Sequence, residues 1–239
     1  MLSSDLPVSD PRLFLDYHIV PGLFFSNGCM ASSGSFLNWI VANWAGAEKL
    51  KADAAGMSAH CWLDHAASEL DSKNPILFLP YFLGEKTPIN DPLARGTLVG
   101  IGLNHDIHHI WRAALEGVVF GFRHHIEVFE SIGLKPGRIF ASDGGAASDL
   151  WLQIAADALG RTVTRIKHHP GSSLGAAFVA GMGVAVFRDW SEISKYVRLG
   201  RQFNPHEDAH AALSAKYLIW RDIYCRLRPV YRDLSKTME

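Results

Sequence analysis

The stretch 139–151, which reads IFASDGGAASDLW, decides the fold class of this chain. A short apolar run leads to Asp143, and two glycines follow. Ser148 then stands where a helix N-cap is expected, because a serine oxygen accepts a free amide hydrogen of the first helical turn. The pattern predicts a strand, a turn and a helix. Gly144 and Gly145 leave the backbone bare, so a nucleotide can approach the turn, although a tight turn alone would require the same glycines.

Strands and helices alternate on both sides of this stretch. The predicted strands are 22–26, 76–79, 97–102, 138–142 and 162–166. The predicted helices begin near residue 31 and cover 58–71, 106–131, 148–159, 173–183 and 204–232. Elements of these lengths in this order predict an α/β fold with a layered arrangement.

Local signals mark several helix ends. Ser32 or Ser33 is predicted to cap the helix that begins near residue 31. Gly133 and Gly160 follow apolar helical patterns, where a glycine in the left-handed conformation commonly ends a helix. The small residues of 173–183 predict that this helix lies close against a sheet or another helix.

The composition excludes several classes of protein. The chain has 239 residues, of which 48% are hydrophobic, so it can bury a sizeable core and is not disordered. The 23 basic residues balance 24 acidic ones, which argues against a broad surface for nucleic acid or for an anionic membrane. Three scattered cysteines form no disulfide pattern, and no basic leader precedes an apolar run. We therefore expect a cytoplasmic protein.

Three blocks of sequence resemble the C-terminal half of the FGGY family of carbohydrate kinases. The turn at 143–151 is followed by a helix end ADALG at 156–160 and by LGAA at 174–177. The segment 96–116 is similar to the family's C-terminal signature, which ends here at Glu116. The loop 84–96, GEKTPINDPLARG, is similar to the family's Gly-Glu-Arg-x-Pro-x-x-Asp-Pro-x-Ala-Arg-Gly loop.

The resemblance implies an actin-like, or ribonuclease H-like, ATPase domain with a mixed sheet flanked by helices. It covers about 15–232, which leaves 1–14 as an irregular lead-in and 233–239 as a tail. The implied cofactors are ATP and Mg²⁺, and the implied reaction transfers the γ-phosphoryl group to a hydroxyl of a sugar or polyol. The spacing of the glycine turn is closer to xylulokinase-like members, so a pentulose such as xylulose is the preferred acceptor.

The resemblance also implies a set of nucleotide-binding residues. Gly144 and Gly145 would form the turn that contacts the nucleotide, and Ser148 or Asp149 stands near an asparagine of glycerol kinases. The segment SGSFLNW resembles a helix start of the family, which makes Gly34 and Asn38 candidates on one helical face. An ordinary exposed helix position is the alternative for Asn38.

No catalytic residue is assigned to this chain. Phosphoryl transfer needs a base on the acceptor hydroxyl, and the family supplies that aspartate, a Gly-Thr phosphate loop and most sugar contacts from an N-terminal domain. Asp5, Asp10 and Asp16 lack the surroundings of that motif, and Asp143 would face the nucleotide. We expect the chain alone to bind ATP or ADP weakly and not to turn over.

Three identities remain open at this point. The chain is the ATP-binding half of a carbohydrate kinase, a non-catalytic nucleotide-binding module or truncated relic, or one subunit of a split kinase. The sequence leaves the oligomeric state open, including a homo-oligomer, and names no metal-ligating residue.

Other polar clusters are expected to be structural. His206 and His210 match a H-E-x-x-H zinc pattern, but the pattern lies in a first helical turn rather than in mid-helix. His105, His108 and His109 are expected on a solvated turn, and His168 with His169 forms a further pair. A set of loop residues is expected to serve as ion pairs and turn caps: Glu85, Lys86, Asp91 and Arg95.

Overall fold

The computed structural model of the chain describes residues 1–70, 74–167 and 171–237. The strands are β1 (Leu2–Ser4), β2 (Phe14–Tyr17), β3 (Phe24–Asn27), β4 (Leu77–Leu79), β5 (Thr97–Val99), β6 (Ile139–Ala141), β7 (Val163–Lys167) and β8 (Arg198–Phe203). The α-helices are α1 (Gly34–Asn43), α2 (Gly46–Ala54), α3 (Ala59–Ser68), α4 (Ile107–Ser131), α5 (Asp149–Leu159), α6 (Ser172–Gly183) and α7 (Glu207–Lys236). The predicted α/β class is confirmed.

The described strands form three small sheets. β1 and β2 flank β3 in an antiparallel sheet, and β4 pairs with β5. The third sheet is mixed, because β7 runs parallel to β6 and antiparallel to β8. Helix α5 covers this sheet, where Leu152 and Ala156 pack against Val163 and Phe203. This unit is the strand–turn–helix arrangement that the glycine turn predicts.

Helix α4 runs through the centre of the core. Its residues from Trp111 to Gly121 are all buried, since α3, α5, α7 and β4 surround it. Two charged residues are included, and they are paired: Glu116 contacts Arg112 on the same helix and Lys216 on α7. Burial nevertheless raises the pKa of Glu116. The last position of the FGGY-like signature therefore lies in a buried ion-pair cluster.

Gly117 permits a close approach of α4 to β4 in the core. A Cβ atom at this position would collide with the carbonyl oxygen of Phe78 on β4. The same oxygen accepts a 2.9 Å hydrogen bond from Nε1 of Trp220 on α7. Helices α4 and α7 therefore both meet β4 at one peptide group.

The helix ends agree in part with the sequence. Gly133 and Gly160 have the left-handed φ values of 85° and 62° that the glycine stops require. The prediction for Ser32 and Ser33 is wrong: Ser33 is the N-cap residue of α1 but makes no side-chain cap bond. The Ser32 hydroxyl instead donates to the Pro80 carbonyl at 2.5 Å.

Some boundaries differ from the sequence expectations. Leu2–Ser4 pairs with β3, so the expected irregular lead-in is wrong for these residues. Helix α7 extends to Lys236, beyond the predicted end at 232. The expected close packing of α6 is also wrong, because Phe178 is its one buried residue. No helix in the described ranges has the length and apolar character needed to cross a membrane.

We predict that Gly117→Ala destabilises the fold by about 2 kcal/mol or more, since the added methyl group must displace α4 from β4. The measurement is the free energy of unfolding in urea. Gly175→Ala is the matched control, because Gly175 lies inside α6 with no heavy atom within 4 Å of a built Cβ. The control should be slightly more stable than the parent, as expected for alanine in a helix. Equal stability of Gly117→Ala and the parent would contradict the packing at β4.

Candidate functional site

An open cavity of about 680 Å³ lies between the two three-stranded sheets. Its walls come from β1, β6, α4 and α5, from the start of α1 and from the turn after β6. Gly34, Gly144 and Gly145 all line it. The structure thus brings together three sequence-predicted residues that are far apart in the chain.

The N-terminus of α1 faces this cavity with free amide groups. Ser33 and Gly34 both line the cavity, and no heavy atom lies within 4 Å of a Cβ built on Gly34. The first turn of α1 holds no acidic residue, and no side chain caps it. In α5, by contrast, the Ser148 hydroxyl accepts the amide of Trp151 at 3.0 Å. The first turn of α1 is therefore open to an anionic ligand.

The turn after β6 presents the second wall. Gly144–Ala147 form a 3₁₀ turn, and nothing occupies the space where a Cβ of Gly144 would lie. At Gly145 a Cβ would lie 2.5 Å from the Trp151 ring, so this glycine is required for packing. Asp143 has φ 66° and ψ −160°, a region that is nearly exclusive to glycine. The turn therefore stores backbone strain beside the cavity.

A buried loop holds the segment that leads into α1. Oε1 of Glu85 accepts the Ala31 amide at 2.6 Å, and Oγ1 of Thr87 accepts the Cys29 amide at 2.6 Å. Ser32 adds its bond to Pro80 from the other side. The Thr87 hydroxyl also donates to the Cys29 carbonyl at 3.3 Å, so four side-chain hydrogen bonds connect residues 29–32 with the loop 80–87.

Glu85 is an unusual member of this loop. Its residue is 5% exposed, and Oε2 is buried with no hydrogen-bond partner. Burial raises the pKa of its carboxyl group to about 7, although backbone amides of Ala31 and Lys86 oppose the shift. Sequence reasoning missed this connection between the Gly-Glu loop and α1, because the two segments are more than 50 residues apart.

The other polar loop residues form internal contacts. Oδ1 of Asp91 accepts the Leu93 amide, and Oδ2 accepts the Tyr224 hydroxyl at 2.8 Å. Arg95 donates to the carbonyl oxygens of Pro92 and Ala94. These are turn-stabilising bonds of the kind that the sequence predicts for the loop.

Three further candidate residues do not line the cavity. Asn38 is exposed, and its Oδ1 lies 2.9 Å from Nε2 of His60. Ser148 caps α5. Asp149 forms ion pairs with Arg165 and Arg201. Their roles in nucleotide binding remain predictions without a cavity contact.

The histidine clusters have structural partners. His206 contacts Oδ1 of Asp157, and Nδ1 of His210 lies 2.7 Å from the Asp157 carbonyl oxygen. His108 and His109 both contact Asp106, which forms a capping box at the start of α4. His168 and His169 lie outside the described residues. Within the described ranges, no group of three or more His, Cys, Asp or Glu residues could hold a metal ion.

The chemistry of the cavity lining is cationic and apolar. Arg138 contributes a guanidinium group, and no Asp or Glu is found among the described lining residues. Both ring nitrogens of His125 are bonded elsewhere, to the Thr87 hydroxyl and to the Gly121 carbonyl. Phe122, Phe140 and Ala141 contribute apolar surface. This lining does not fit a magnesium site, which requires oxygen ligands such as carboxylates. It suits a ligand with an anionic group and a flat apolar part.

Residues 1–184 match the FGGY family of carbohydrate kinases, C-terminal domain. The chain belongs to this family. Over 226 residues it is 29% identical to the xylulose kinase of Staphylococcus epidermidis, a match that covers 94% of this chain and 44% of that protein. The xylulose kinase of Escherichia coli is 31% identical over 215 residues, covering 89% and 42%. The chain thus spans less than half the length of these relatives.

Solved structures of FGGY kinases have the same fold. The xylulose kinase from Rhodospirillum rubrum superposes with a TM-score of 0.83 at 42% identity, over 97% of this chain and 45% of that one. A glycerol kinase from Plasmodium falciparum, solved with ADP, gives a TM-score of 0.74 at 19% identity, over 93% and 43%. The predicted actin-like, ribonuclease H-like fold is confirmed for this FGGY domain.

Ser33 and Arg138 are among the cavity residues that the sequence does not predict as site residues. The sequence predicts a helix cap at Ser33 and the start of a strand at Arg138. Arg138 places its guanidinium 5.3 Å from the centre of the Phe140 ring. No local pattern marks either residue, because their position depends on how α1 and β6 meet.

We predict that Asp143→Gly stabilises the FGGY domain by about 1 kcal/mol, because glycine adopts the observed backbone angles without strain. Asp143→Ala is the matched control, since it removes the carboxylate and keeps the Cβ. The free energy of unfolding should rise for the glycine variant and not for the alanine variant. An equal gain in both would assign the effect to the carboxylate instead of the backbone.

Proposed function

We propose that the cavity binds an adenine nucleotide and that the chain is the ATP-binding half of a carbohydrate kinase. The observation that carries this proposal is the meeting of two unobstructed backbone segments, Gly34 in the first turn of α1 and Gly144 in the turn after β6, at one cavity. Membership of the FGGY family supports the choice of nucleotide.

Each of the two segments contacts a different part of the nucleotide. The free amides at the start of α1 donate to phosphate oxygens, and the helix dipole favours their negative charge. The bare turn at Gly144 lets the rest of the nucleotide approach the backbone, and the apolar side chains of the lining pack against the adenine. Binding needs no rearrangement of a side chain at either glycine.

The chain's own cavity residues do not supply a catalytic base. A base that accepts the acceptor's proton must lie within hydrogen-bond distance of that hydroxyl, and the described lining contains no carboxylate. The proposed reaction, transfer of the ATP γ-phosphoryl group to a sugar or polyol, therefore needs groups outside this lining. We infer that the chain alone binds nucleotide weakly and does not turn over.

A pentulose such as xylulose is the proposed acceptor of the complete reaction, because the relatives at 29–42% identity include proteins named xylulose kinase. The proposed location is the cytoplasm. The alternatives are a non-catalytic nucleotide-binding module or relic, and one subunit of a split kinase. Mixing this chain with the remaining half of the Rhodospirillum rubrum xylulose kinase separates the two kinase alternatives from the module: xylulose-dependent ADP production supports a kinase half or subunit, and its absence favours the module.

We predict that Gly144→Leu lowers the affinity for ADP at least tenfold, because the new side chain occupies the open space in the cavity. The measurement is calorimetric titration with ADP in the presence of magnesium. Gly46→Leu is the matched control, since Gly46 is equally unobstructed but lies at the start of α2, outside the cavity. Gly145 is unsuitable because its substitution disturbs Trp151.

Unchanged unfolding of Gly144→Leu, measured in parallel, shows that the loss arises at the site. Equal ADP affinity in Gly144→Leu and the parent would contradict binding at this cavity. No ADP binding by the parent would contradict the proposed function of the isolated chain.

A further inference from the structure

The N-terminus of α1 depends on a buried carboxylate that the proposed nucleotide site does not itself contain. Glu85 lies on the loop before β5, outside the cavity lining, and reaches the backbone two residues ahead of Ser33. Its Oε1 accepts two amides, from Ala31 at 2.6 Å and from Lys86 at 2.8 Å. The carboxylate therefore holds its own loop and the segment leading into α1 together.

We propose that Glu85 is a positioning residue for the nucleotide: its ionised carboxylate fixes the Ala31 backbone, and protonation loosens the N-terminus of α1 and weakens nucleotide binding. This inference rests on the proposed function, because it assigns a device that controls the same site. Glu85 acts through Ala31 and does not touch the ligand.

The strength of the Ala31 bond depends on the charge of Glu85. A hydrogen bond to an ionised acceptor is roughly twice as strong as one between neutral groups. Oε2 has no hydrogen-bond partner, so the protein's hydrogen bonds to the Glu85 carboxylate are all made through Oε1. The bond to Ala31 is therefore strong in the ionised form and ordinary in the protonated form.

Glu85 is the one described side chain in this network that titrates near neutrality. Burial raises its pKa to about 7, and Lys86 is the cation that acts against this shift. Tyr81 interacts electrostatically with Glu85, and burial keeps the pKa of its phenol well above 10. Arg221 and Tyr224 of α7 interact electrostatically with Tyr81.

Helix α4 contributes one more titratable group to this network. His125 lies 2.9 Å from the Thr87 hydroxyl, and burial lowers the pKa of its imidazole, so it stays neutral as the pH rises above 6.5. The bond from the Cys29 amide to Thr87 and the bond from Ser32 to the Pro80 carbonyl are made by hydroxyl groups that do not titrate in this range. The Met1 ammonium also acts on His125, and burial lowers its pKa from the usual 8.0, a feature that the parent and the variants share. Among the described side chains of the network, the charge therefore changes near pH 7 at Glu85.

Affinity for the nucleotide should rise with pH, because the form of the chain with an ionised Glu85 binds more tightly. With a midpoint at about 7, the ionised fraction rises from about one tenth at pH 6 to about nine tenths at pH 8. The affinity then rises between these two pH values, and about tenfold is the upper limit, reached if the protonated form does not bind. Simple repulsion between a carboxylate and a phosphate would give the opposite sign.

The test is calorimetric titration with ADP and magnesium at pH 6 and pH 8. The parent chain should gain affinity, by at most about tenfold, and Glu85→Gln should lose this gain. Glu127→Gln is the matched control, because Glu127 bonds Tyr217 and Arg221 on α7, away from α1. The control should follow the parent. A flat or falling profile in the parent, or a rise retained in Glu85→Gln, would overturn the inference.

A second readout needs no nucleotide. The amide resonance of Ala31 in the ¹⁵N-labelled parent should titrate with a midpoint near pH 7 and should lose this titration in Glu85→Gln. If Glu85→Gln does not fold, the parent decides alone, and an Ala31 amide that does not titrate overturns the inference. A flat ADP profile together with a loss of binding in Gly144→Leu would leave the proposed function standing and reject the role of Glu85. No ADP binding by the parent would reject both.

Discussion

The close approach of α4 to β4 is the constraint on which the rest of the structure depends. Because Gly117 has no side chain, the helix backbone reaches the Phe78 carbonyl, which also accepts the indole hydrogen of Trp220 from α7. β4 continues directly into the buried loop that bonds the segment before α1. The position of the cavity relative to the helix N-terminus is thus determined by packing several residues away from it.

The site itself is made of backbone more than of side chains. Its two candidate contact segments, at Gly34 and Gly144, are positions where a side chain is absent, and the strain at Asp143 lies next to one of them. The segment before Gly34 is fixed by hydrogen bonds that involve the side chains of Glu85, Thr87 and Ser32. A site made of backbone suits a negatively charged ligand, because the amides of a helix N-terminus supply a fixed partial positive charge. No flexible lysine or arginine side chain has to be ordered for this purpose.

The elements that can be predicted from the sequence are those whose formation depends on residues close in the chain. The apolar stripe of α4, the serine cap of α5 and the glycine stops at 133 and 160 each depend on neighbours within one or two turns. β8 could not be predicted in this way, since its sequence RLGRQF becomes a strand through pairing with β7. The small residues of α6 predict close packing that the structure does not contain. The connection from Glu85 to Ala31 joins residues whose proximity only the folded chain reveals.

The candidate site was predictable in part. The resemblance to the family predicts one site for Gly34, Gly144 and Gly145, and all three line the cavity. Asn38, Ser148 and Asp149 have other contacts, because the spacing of residues in a sequence does not define which side of a helix faces a cavity.

The central claim is that an adenine nucleotide binds where the start of α1 meets the turn after β6. The most direct measurement is the set of amide chemical-shift changes in the ¹⁵N-labelled chain on addition of ADP and magnesium. The account predicts that the largest changes occur in the first turn of α1, from Gly34, and in the 3₁₀ turn Gly144–Ala147. Changes confined to another surface, such as the histidine cluster at the start of α4, would contradict it.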